Sequence, residues 1–298
     1  LKLQKTTNGG LNWVQVPNLG TTTLYSVYAS DTNNIFLTST SGNIYFTTNA
    51  GVNWTTSNVG TTSTLYDSKW INATTGYLCG SSGCFRYNTN GGANWQGTNP
   101  PTTGTMQRIL VSGSTIYVGG FDQVNIYSTT DIGTTWNTIP FAASGQYSTF
   151  NIYSMDIVGS TILVGGTYGL MNKSTNAGAN WVTATSHTTV ANMVDVYASS
   201  GNGRVIAIGS NTGGLDACVY STNGGTTWSR GTGAVPNNVL SDLSMRNSTT
   251  GYVVGRFGIF WKTTNGGVTW DTSRSSNSAL TPYFCNGVDF VDDNTGWV

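Results

Sequence analysis

Glutamate is absent from this chain of 298 residues, and charge of either sign is scarce. All 12 acidic side chains are aspartates, 12 basic side chains bring the formal net charge to zero, and only 8% of the residues are charged. An average soluble protein has roughly a quarter. A nucleic-acid backbone or an anionic membrane attracts clustered Lys and Arg, which this chain lacks. We therefore expect neither nucleic acid nor membrane insertion.

Long apolar runs are also lacking. No run of about 18 apolar residues occurs, and the first four residues lack the features of a signal peptide, so we expect a soluble, mature or excised segment. The residues that favour surface helices are scarce as well. Together with 38% hydrophobic and 12% aromatic content, this composition predicts an all-β fold with a substantial core.

A repeat of 41 to 47 residues runs through the chain, and each copy ends in a Trp. The marker residues are Trp13, Trp54, Trp95, Trp136, Trp181, Trp228 and Trp270. The 28 residues after the last marker and the 13 that end at the first together make one further repeat. Four strand-like segments per repeat predict one domain, residues 1–298, that forms a seven-bladed β-propeller with four antiparallel strands per blade. The seventh blade is split between 285–298 and 1–16, which leaves no unpaired blade edge.

Each repeat carries the motif Ser/Thr-x-Asp/Asn-x-Gly-x-x-Trp, as in residues 6–13 and 129–136. The motif resembles the Asp-box, or bacterial neuraminidase repeat. The whole chain resembles the seven-bladed propellers that carry it, among them sialidases, xyloglucanase-type glycoside hydrolases, the photosystem II assembly factor and secreted proteins of the Bacteroidetes. The resemblance implies that these turns join the third and fourth strands, on the face opposite the usual ligand site.

The chemistry of the motif favours a structural role. The Ser or Thr and the Asn or Asp can bond turn backbone groups, the Gly permits a strained backbone, and the Trp can pack between blades. Six of the seven motifs carry Asn where Asp is the family consensus, and only Asp131 keeps the carboxylate. We therefore expect no calcium site built from these turns.

Residues for catalysis are sparse. The resemblance implies that a sialidase needs an arginine triad, a Tyr paired with Glu and an Asp acid, and the Glu is missing. A glycoside hydrolase that uses an Asp pair is the alternative, since inverting hydrolysis needs only two carboxylates. Xyloglucanase-type enzymes use Asp residues, but on two propellers. His187, the only His, lies in a polar loop, and we favour a solvated side chain over a catalytic base.

Two of the four cysteines lie close together in the sequence. Cys79 and Cys84 flank a four-residue hairpin turn, which predicts a disulfide, with two reduced thiols or a zinc site as alternatives. A disulfide would indicate an oxidising, extracellular location. Cys218 and Cys285 fall in non-adjacent blades, and we expect both to be buried as small apolar residues.

The first strands of the seven repeats align so that two side chains of each line the central channel. The charged residues at these positions are Asp67, Lys69, Arg108, Asp156, Asp195, Asp242 and Asp289. Five carboxylates against two cations leave a net charge of −3 there. One interpretation is that charge in a water-filled channel costs little. The other is that Asp156, Asp195, Asp242 and Asp289 hold a cation such as Ca²⁺, the one cofactor that we consider.

A second candidate surface is the loop face, formed by the hairpins between second and third strands and by the connections between blades. Its candidate binding residues are Phe121, Asp122, Tyr147, Tyr168, Asp216, Arg256 and Phe257. Exposed aromatic rings beside charged groups suit either sugar stacking or a protein contact.

These features predict a non-enzymatic binding or assembly scaffold, secreted or on the cell surface, that recognises a protein or a glycan through the loop face or the channel. One alternative is the glycoside hydrolase with an Asp pair. The other is a structural subunit of an extracellular filament or adhesin, which would self-assemble or carry flanking domains of a larger surface protein.

Overall fold

The chain folds as a ring of seven small β-sheets. The computed structural model describes residues 3–121, 125–140, 151–169, 171–183, 192–210, 218–233, 239–276, 280 and 284–298. Within these ranges it contains 26 strands and three short 3-10 helices. None of the helices in the described ranges has the length and apolar character needed to span a bilayer.

The strands follow the repeat. In chain order they are β1 (Gln4–Thr6), β2 (Val14–Gln15), β3 (Leu24–Ala29), β4 (Ile35–Ser39), β5 (Asn43–Thr47), β6 (Thr55–Asn58), β7 (Leu65–Trp70), β8 (Gly76–Gly80), β9 (Phe85–Asn88), β10 (Met106–Ser112), β11 (Thr115–Gly120), β12 (Asn125–Thr129), β13 (Asn137–Pro140), β14 (Ile152–Val158), β15 (Thr161–Gly166), β16 (Met171–Ser174), β17 (Val182–Thr183), β18 (Asn192–Ala198), β19 (Val205–Ser210), β20 (Cys218–Ser221), β21 (Ser229–Arg230), β22 (Leu240–Met245), β23 (Gly251–Gly255), β24 (Phe260–Thr263), β25 (Asp289–Phe290) and β26 (Gly296–Trp297). The 3-10 helices are Thr167–Gly169, Arg256–Gly258 and Ser273–Ser276.

Each blade is an antiparallel sheet whose strands run outward from the channel in chain order. Blades 1 to 6 are β3–β6, β7–β9, β10–β13, β14–β17, β18–β21 and β22–β24. Blade 7 has the order β2-β1-β26-β25, so the two ends of the chain meet in one sheet. Lys5 pairs with Trp297, and the Gln4 N–H donates to the Val298 carbonyl at 2.8 Å. The predicted split of the seventh blade and the seven-bladed all-β class are confirmed.

The fourth strand is reduced to a single bridge in two blades. In blade 2, Tyr87 pairs with Gln96 before the chain turns at Gly97, whose φ of +145° lies outside the extended region. In blade 6, Lys262 pairs with Asp271 just before the 3-10 helix Ser273–Ser276. The outermost strand has only one neighbour, so little pairing is lost where it shortens.

The hydrophobic core lies between the blades. Buried side chains form seven clusters in the described residues, and each cluster joins two adjacent sheets. In blade 7 the motif Trp13 packs edge-on against Phe260 of blade 6, with ring centroids 5.1 Å apart. Period-two alternation turns one face of every sheet toward each neighbour, so each blade depends on the next for its core.

Candidate functional site

The Asp-box turns connect third and fourth strands and share one hydrogen-bond pattern. In the first turn the Gly10 N–H donates to the Thr6 hydroxyl at 2.9 Å, and this hydroxyl donates to the Asn8 amide oxygen at 3.0 Å. The same amide oxygen accepts the Asn12 N–H at 2.9 Å. Gly10 has φ +83°, and a Cβ there would overlap the Phe260 ring. The turns therefore brace neighbouring blades.

Asp131 keeps its carboxylate inside its own turn. The Thr135 hydroxyl and N–H donate to it at 2.6 and 2.9 Å, and the Thr129 hydroxyl donates at 2.7 Å. These hydrogen bonds, those from Thr135 first, lower the pKa of Asp131 to about 2. Its oxygens are thus engaged by the turn.

The central channel is a polar cavity of about 350 Å³ lined by residues from all seven blades. Its lining includes every charged residue that the repeat alignment placed there: Asp67, Lys69, Arg108, Asp156, Asp195, Asp242 and Asp289. The alternation of the first strands therefore places these side chains as the sequence predicted.

Each channel aspartate bonds the backbone of the next blade. The Asp195 carboxylate accepts the N–H of its neighbour Val196 at 2.9 Å and the N–H of Leu243, on blade 6, at 3.0 Å. The same inter-blade bond joins Asp67 to Ile109, Asp156 to Ala198, Asp242 to Val288 and Asp289 to Ala29, at 3.1, 2.6, 2.7 and 2.8 Å. The carboxylates are therefore clamps between first strands.

Arg108 supplies a cation to this cluster. Its Nη2 donates to the Val194 carbonyl of blade 5 at 3.1 Å, so the side chain of blade 3 reaches past blade 4 across the channel. Burial by itself lowers the pKa of Arg108, but the nearby Asp195, Asp67 and Asp242 raise it, and the net shift is upward. The chain thus provides part of the countercharge that the acidic channel needs.

Burial dominates the titration of the channel carboxyls. It raises the pKa values of Asp67 and Asp289, although Arg108 and Lys69 respectively oppose the shift. Burial raises the pKa of Asp242 well above its ordinary value, and the adjacent Asp195 raises it further. Burial raises the pKa of Asp156 to about 6, against the bonds from Ala198 and Ile157.

Asp156 makes the stability of the fold pH-dependent. Its pKa rises from 3.8 to about 6 on folding, so the folded protein binds this proton more tightly than the unfolded chain. We expect the contribution to be complete below pH 3.8 and to be lost as pH rises through 6, by about 3 kcal/mol at most. Urea unfolding between pH 4 and 7 should show a smaller decline for Asp156→Asn. Asp131→Asn, whose carboxyl titrates near 2, is the control, and equal slopes in all three proteins would contradict this assignment.

The calcium hypothesis gains no support from this geometry. Across the described ranges, no group of three or more His, Cys or Asp side chains is placed to hold a metal ion. Ca²⁺ needs six to eight oxygen ligands, and the channel carboxylates already accept backbone N–H groups. A channel cation stays a prediction.

The predicted disulfide between Cys79 and Cys84 is wrong. Both thiols are reduced and buried. Cys79 pairs with Phe85 across the hairpin, so the adjacent Cys84 points to the opposite face of the sheet. Cys79 packs toward blade 3 and Cys84 toward blade 1. The prediction of an extracellular location loses this support and rests on the low charge content alone. Cys218 and Cys285 are buried, as expected.

On the loop face the structure describes four of the seven predicted residues. Phe121 packs edge-on against Tyr153, with centroids 4.9 Å apart. Arg256 lies 4.7 Å over the Phe284 ring, and Phe257 lies 5.8 Å from the same ring. Tyr168 completes the set. Asp122, Tyr147 and Asp216 lie outside the described residues, as does His187.

Tyr168 and Phe257 occupy strained turn positions. Each precedes a glycine in the hairpin between second and third strands, with φ of +59° and +58°. The equivalent residues of blades 1 and 2 are Ser41 and Ser82, also at +58°. Bulky residues rarely adopt this left-handed region, and the strain costs about 1 kcal/mol. Tyr168 is nevertheless 53% exposed and Phe257 69% exposed, so neither ring is explained by burial.

Sequence reasoning missed a group of aromatic residues at the loop-face end of the first strands. Alternation predicts that Tyr66 and Tyr153 point away from the channel, but a β-bulge beside each one interrupts the pairing and re-aims the side chain. The Tyr66 ring lies 5.1 Å from Tyr25, which lines the channel cavity. The signal was a Tyr directly before the first channel position in three repeats.

No aspartate within the described ranges lies on the loop face. Outside the channel, these aspartates are Asp31, Asp131, Asp271, Asp292 and Asp293. They occupy hairpins between first and second strands, an Asp-box turn and the fourth-strand position of blade 6. The described residues therefore do not assemble the carboxylate pair that a glycoside hydrolase would need.

A family model matches more than half of the chain. The model described as photosynthesis system II assembly factor YCF48 covers residues 53–230. No curated protein matches the sequence.

Several solved structures share the fold. "YCF48 bound to D1 peptide" is 15% identical, with 95% of this chain and 91% of that chain covered and a TM-score of 0.69. "YCF48 from Cyanidioschyzon merolae" is 13% identical, with 96% and 98% covered and a TM-score of 0.69. "Structure of U3-55K" is 8% identical, with 97% and 88% covered and a TM-score of 0.71. At these identities the likeness concerns the fold alone.

Proposed function

The chain belongs to the family described as photosynthesis system II assembly factor YCF48, and we propose that it is a non-enzymatic module that binds an extended polypeptide segment of a partner protein on its loop face. A relative of the same fold is bound to a D1 peptide, which supports a peptide as the class of ligand.

The observation that carries the proposal is the pair of exposed aromatic tips, Tyr168 and Phe257. Two other blades use serine at the same backbone position. A bulky ring there costs conformational energy and buries little surface in the isolated chain. Strained residues that persist in this way are typical of ligand contacts.

The surroundings of the tips suit a peptide. Arg256 and Phe284 lie beside Phe257, and Phe121 and Tyr153 pack together at another part of the face. Tyr and Arg are enriched among the residues that dominate protein interfaces, and aromatic side chains add rigid contact area. A ring of such residues around a channel mouth can follow an extended backbone.

The proposal is tested by changing both tips to the residue that the other blades use. The Tyr168→Ser/Phe257→Ser protein should lose about 30-fold or more in affinity, the loss typical of even one dominant contact. The probes are the D1 peptide and an array of short peptides, measured by fluorescence anisotropy. The double variant should unfold at the same temperature or higher, because the strained rings are gone.

Val52→Ser is the matched control, because Val52 is 62% exposed but belongs to an Asp-box turn on the opposite face. It should leave peptide affinity unchanged. Capture of glycans instead of peptides on parallel arrays, or undiminished peptide binding by the double variant, would refute the proposal.

A further inference from the structure

The inner pairing of blade 7 is shorter than in the other blades. Strands β25 and β26 pair through two residue pairs, whereas the second strands of blades 1 to 6 are five or six residues long. In blades 2 and 6 the buried residue that opens the first strand faces a glycine, as Leu65 faces Gly80 and Leu240 faces Gly255. The corresponding residue in blade 7 is Cys285, and β26 ends at Trp297 before reaching it.

A hydrogen bond that recurs in the other blades is also missing here. The Arg256 N–H donates to the Val239 carbonyl at 2.9 Å, and the Ser81 N–H donates to the Thr64 carbonyl at 2.9 Å. Phe284 occupies the position of these two acceptors. Among the bonds of the described residues, no donor reaches its carbonyl. The backbone beside β25 therefore offers an open acceptor.

An apolar pocket lies next to this edge. Its volume of about 40 Å³ is room for one small branched side chain, since a water needs about 10 to 15 Å³. The apolar part of its lining is Leu3, Leu24, Val27, Leu37, Leu280, Phe284, Cys285 and Val298. Gln4 also lines it, is 95% buried, and its Oε1 has no hydrogen-bond partner. Buried acceptors are rarely left unpaired, so an N–H donor from an occupant would complete the site.

We propose that this slot, defined by Gln4, Phe284, Cys285 and Val298, binds an extended strand of a partner polypeptide that carries an apolar residue followed by glycine. The inference rests on the proposed polypeptide-binding function and gives it a second point of contact. An open sheet edge pairs with an added strand through main-chain bonds, while a pocket for a side chain selects the sequence.

The geometry of the other blades sets the residue preference. A Cβ added at Gly80 or Gly255 would collide with the carbonyl of Thr64 or Val239. The same crowding is expected where an added strand crosses Phe284, so glycine belongs at that point. In blade 6 the residue before the glycine is Val254, which is fully buried, and an apolar side chain fits the pocket in the same way.

The slot also continues the loop face. Phe284, which borders the pocket, contacts Phe257 and Arg256 at the tip of blade 6. A partner segment that crosses the aromatic tips can therefore extend into the slot. This continuity favours a partner strand as the occupant.

A labelled hexapeptide with the sequence of Val254–Ile259 tests the proposal by fluorescence anisotropy against the whole chain. We expect saturable binding, and about tenfold or more weaker binding when the first glycine of the peptide is replaced by leucine. A chain extended after Val298 by Val-Gly fills the slot in cis and should lose peptide binding, while its circular dichroism and melting temperature show an intact fold.

Three results would overturn the assignment: no binding of the hexapeptide, equal affinity for the leucine peptide, or full binding by the extended chain. Dimerisation of the chain that the hexapeptide reverses would also overturn it, because the occupant would then be a second copy. Tyr168→Ser, on blade 4, should change hexapeptide affinity by no more than about twofold, since distant sites are independent. Loss of partner capture in that variant with an intact slot separates the two proposals.

Discussion

Replacing Arg108 by leucine is expected to lower the free energy of unfolding by about 3 to 5 kcal/mol, the usual cost of removing one partner from a buried charge cluster. The guanidinium donates to the Val194 carbonyl and lies near three channel carboxylates that raise its pKa. Without it, Asp67, Asp195 and Asp242 face one another with less countercharge. The loss should shrink toward pH 4, where these carboxyls bind protons.

Urea unfolding at pH 7 and pH 4 measures this effect. Arg256→Leu is the control, because Arg256 is exposed on the loop face and its replacement should change stability by no more than about 0.5 kcal/mol. Arg108→Lys should recover only part of the loss, since lysine keeps the charge but has a shorter reach and a single nitrogen. If Arg108→Leu cost no more than the control, the role of Arg108 as channel countercharge would be wrong.

Replacing Asp289 by alanine should lower the free energy of unfolding by about 2 to 4 kcal/mol. Its carboxylate accepts the Ala29 N–H of blade 1 at 2.8 Å and the Phe290 N–H at 2.9 Å, and the Ser244 hydroxyl of blade 6 at 3.2 Å. One side chain thus joins three consecutive blades. Alanine leaves two backbone donors unpaired at the junction of the two chain ends.

Differential scanning calorimetry and amide hydrogen exchange at Ala29 report this loss. Asp293→Ala removes the same charge from an exposed hairpin and should be neutral within about 0.5 kcal/mol. Faster exchange should be local to blades 1, 6 and 7. Unchanged protection of the Ala29 amide in Asp289→Ala would show that the carboxylate does not clamp the ring.

These two predictions separate the channel from partner binding. The acidic residues of the channel bond backbone N–H groups or face Arg108, so their chemistry is used by the fold. The exposed rings of Tyr168 and Phe257 have no such use in the isolated chain. Recognition of a partner is therefore expected on the loop face, and changes there should alter affinity without loss of stability.

Much of the channel could be predicted because it depends on local periodicity. Residues two apart on a strand share a face, and seven repeats in register place Asp67 and Asp195 at equivalent positions. The hydrogen bonds of these carboxylates could not be predicted. Their donors, such as Leu243, lie on the next blade, and the sequence does not record how two first strands are staggered.

The aromatic residues and the cysteines show the limits of alternation. A bulge reverses the expected direction of Tyr66 and Tyr153, and bulges depend on the local twist of a paired sheet. For Cys79 and Cys84 the spacing suggested a bridge across a hairpin. The register that pairs Cys79 with Phe85 places the two thiols on opposite faces, and register is a property of the folded sheet.

The sequence by itself determined the number of blades, the split of the seventh blade between the chain ends and the side chains that face the channel, because a repeated pattern of apolar residues needs no distant partner to be recognised. Only the tertiary structure decided which carboxylates clamp which blades, that Arg108 crosses the channel, and that the edge beside Cys285 lies open. Each of these depends on contacts between residues of different blades, and such contacts exist only once the ring has closed.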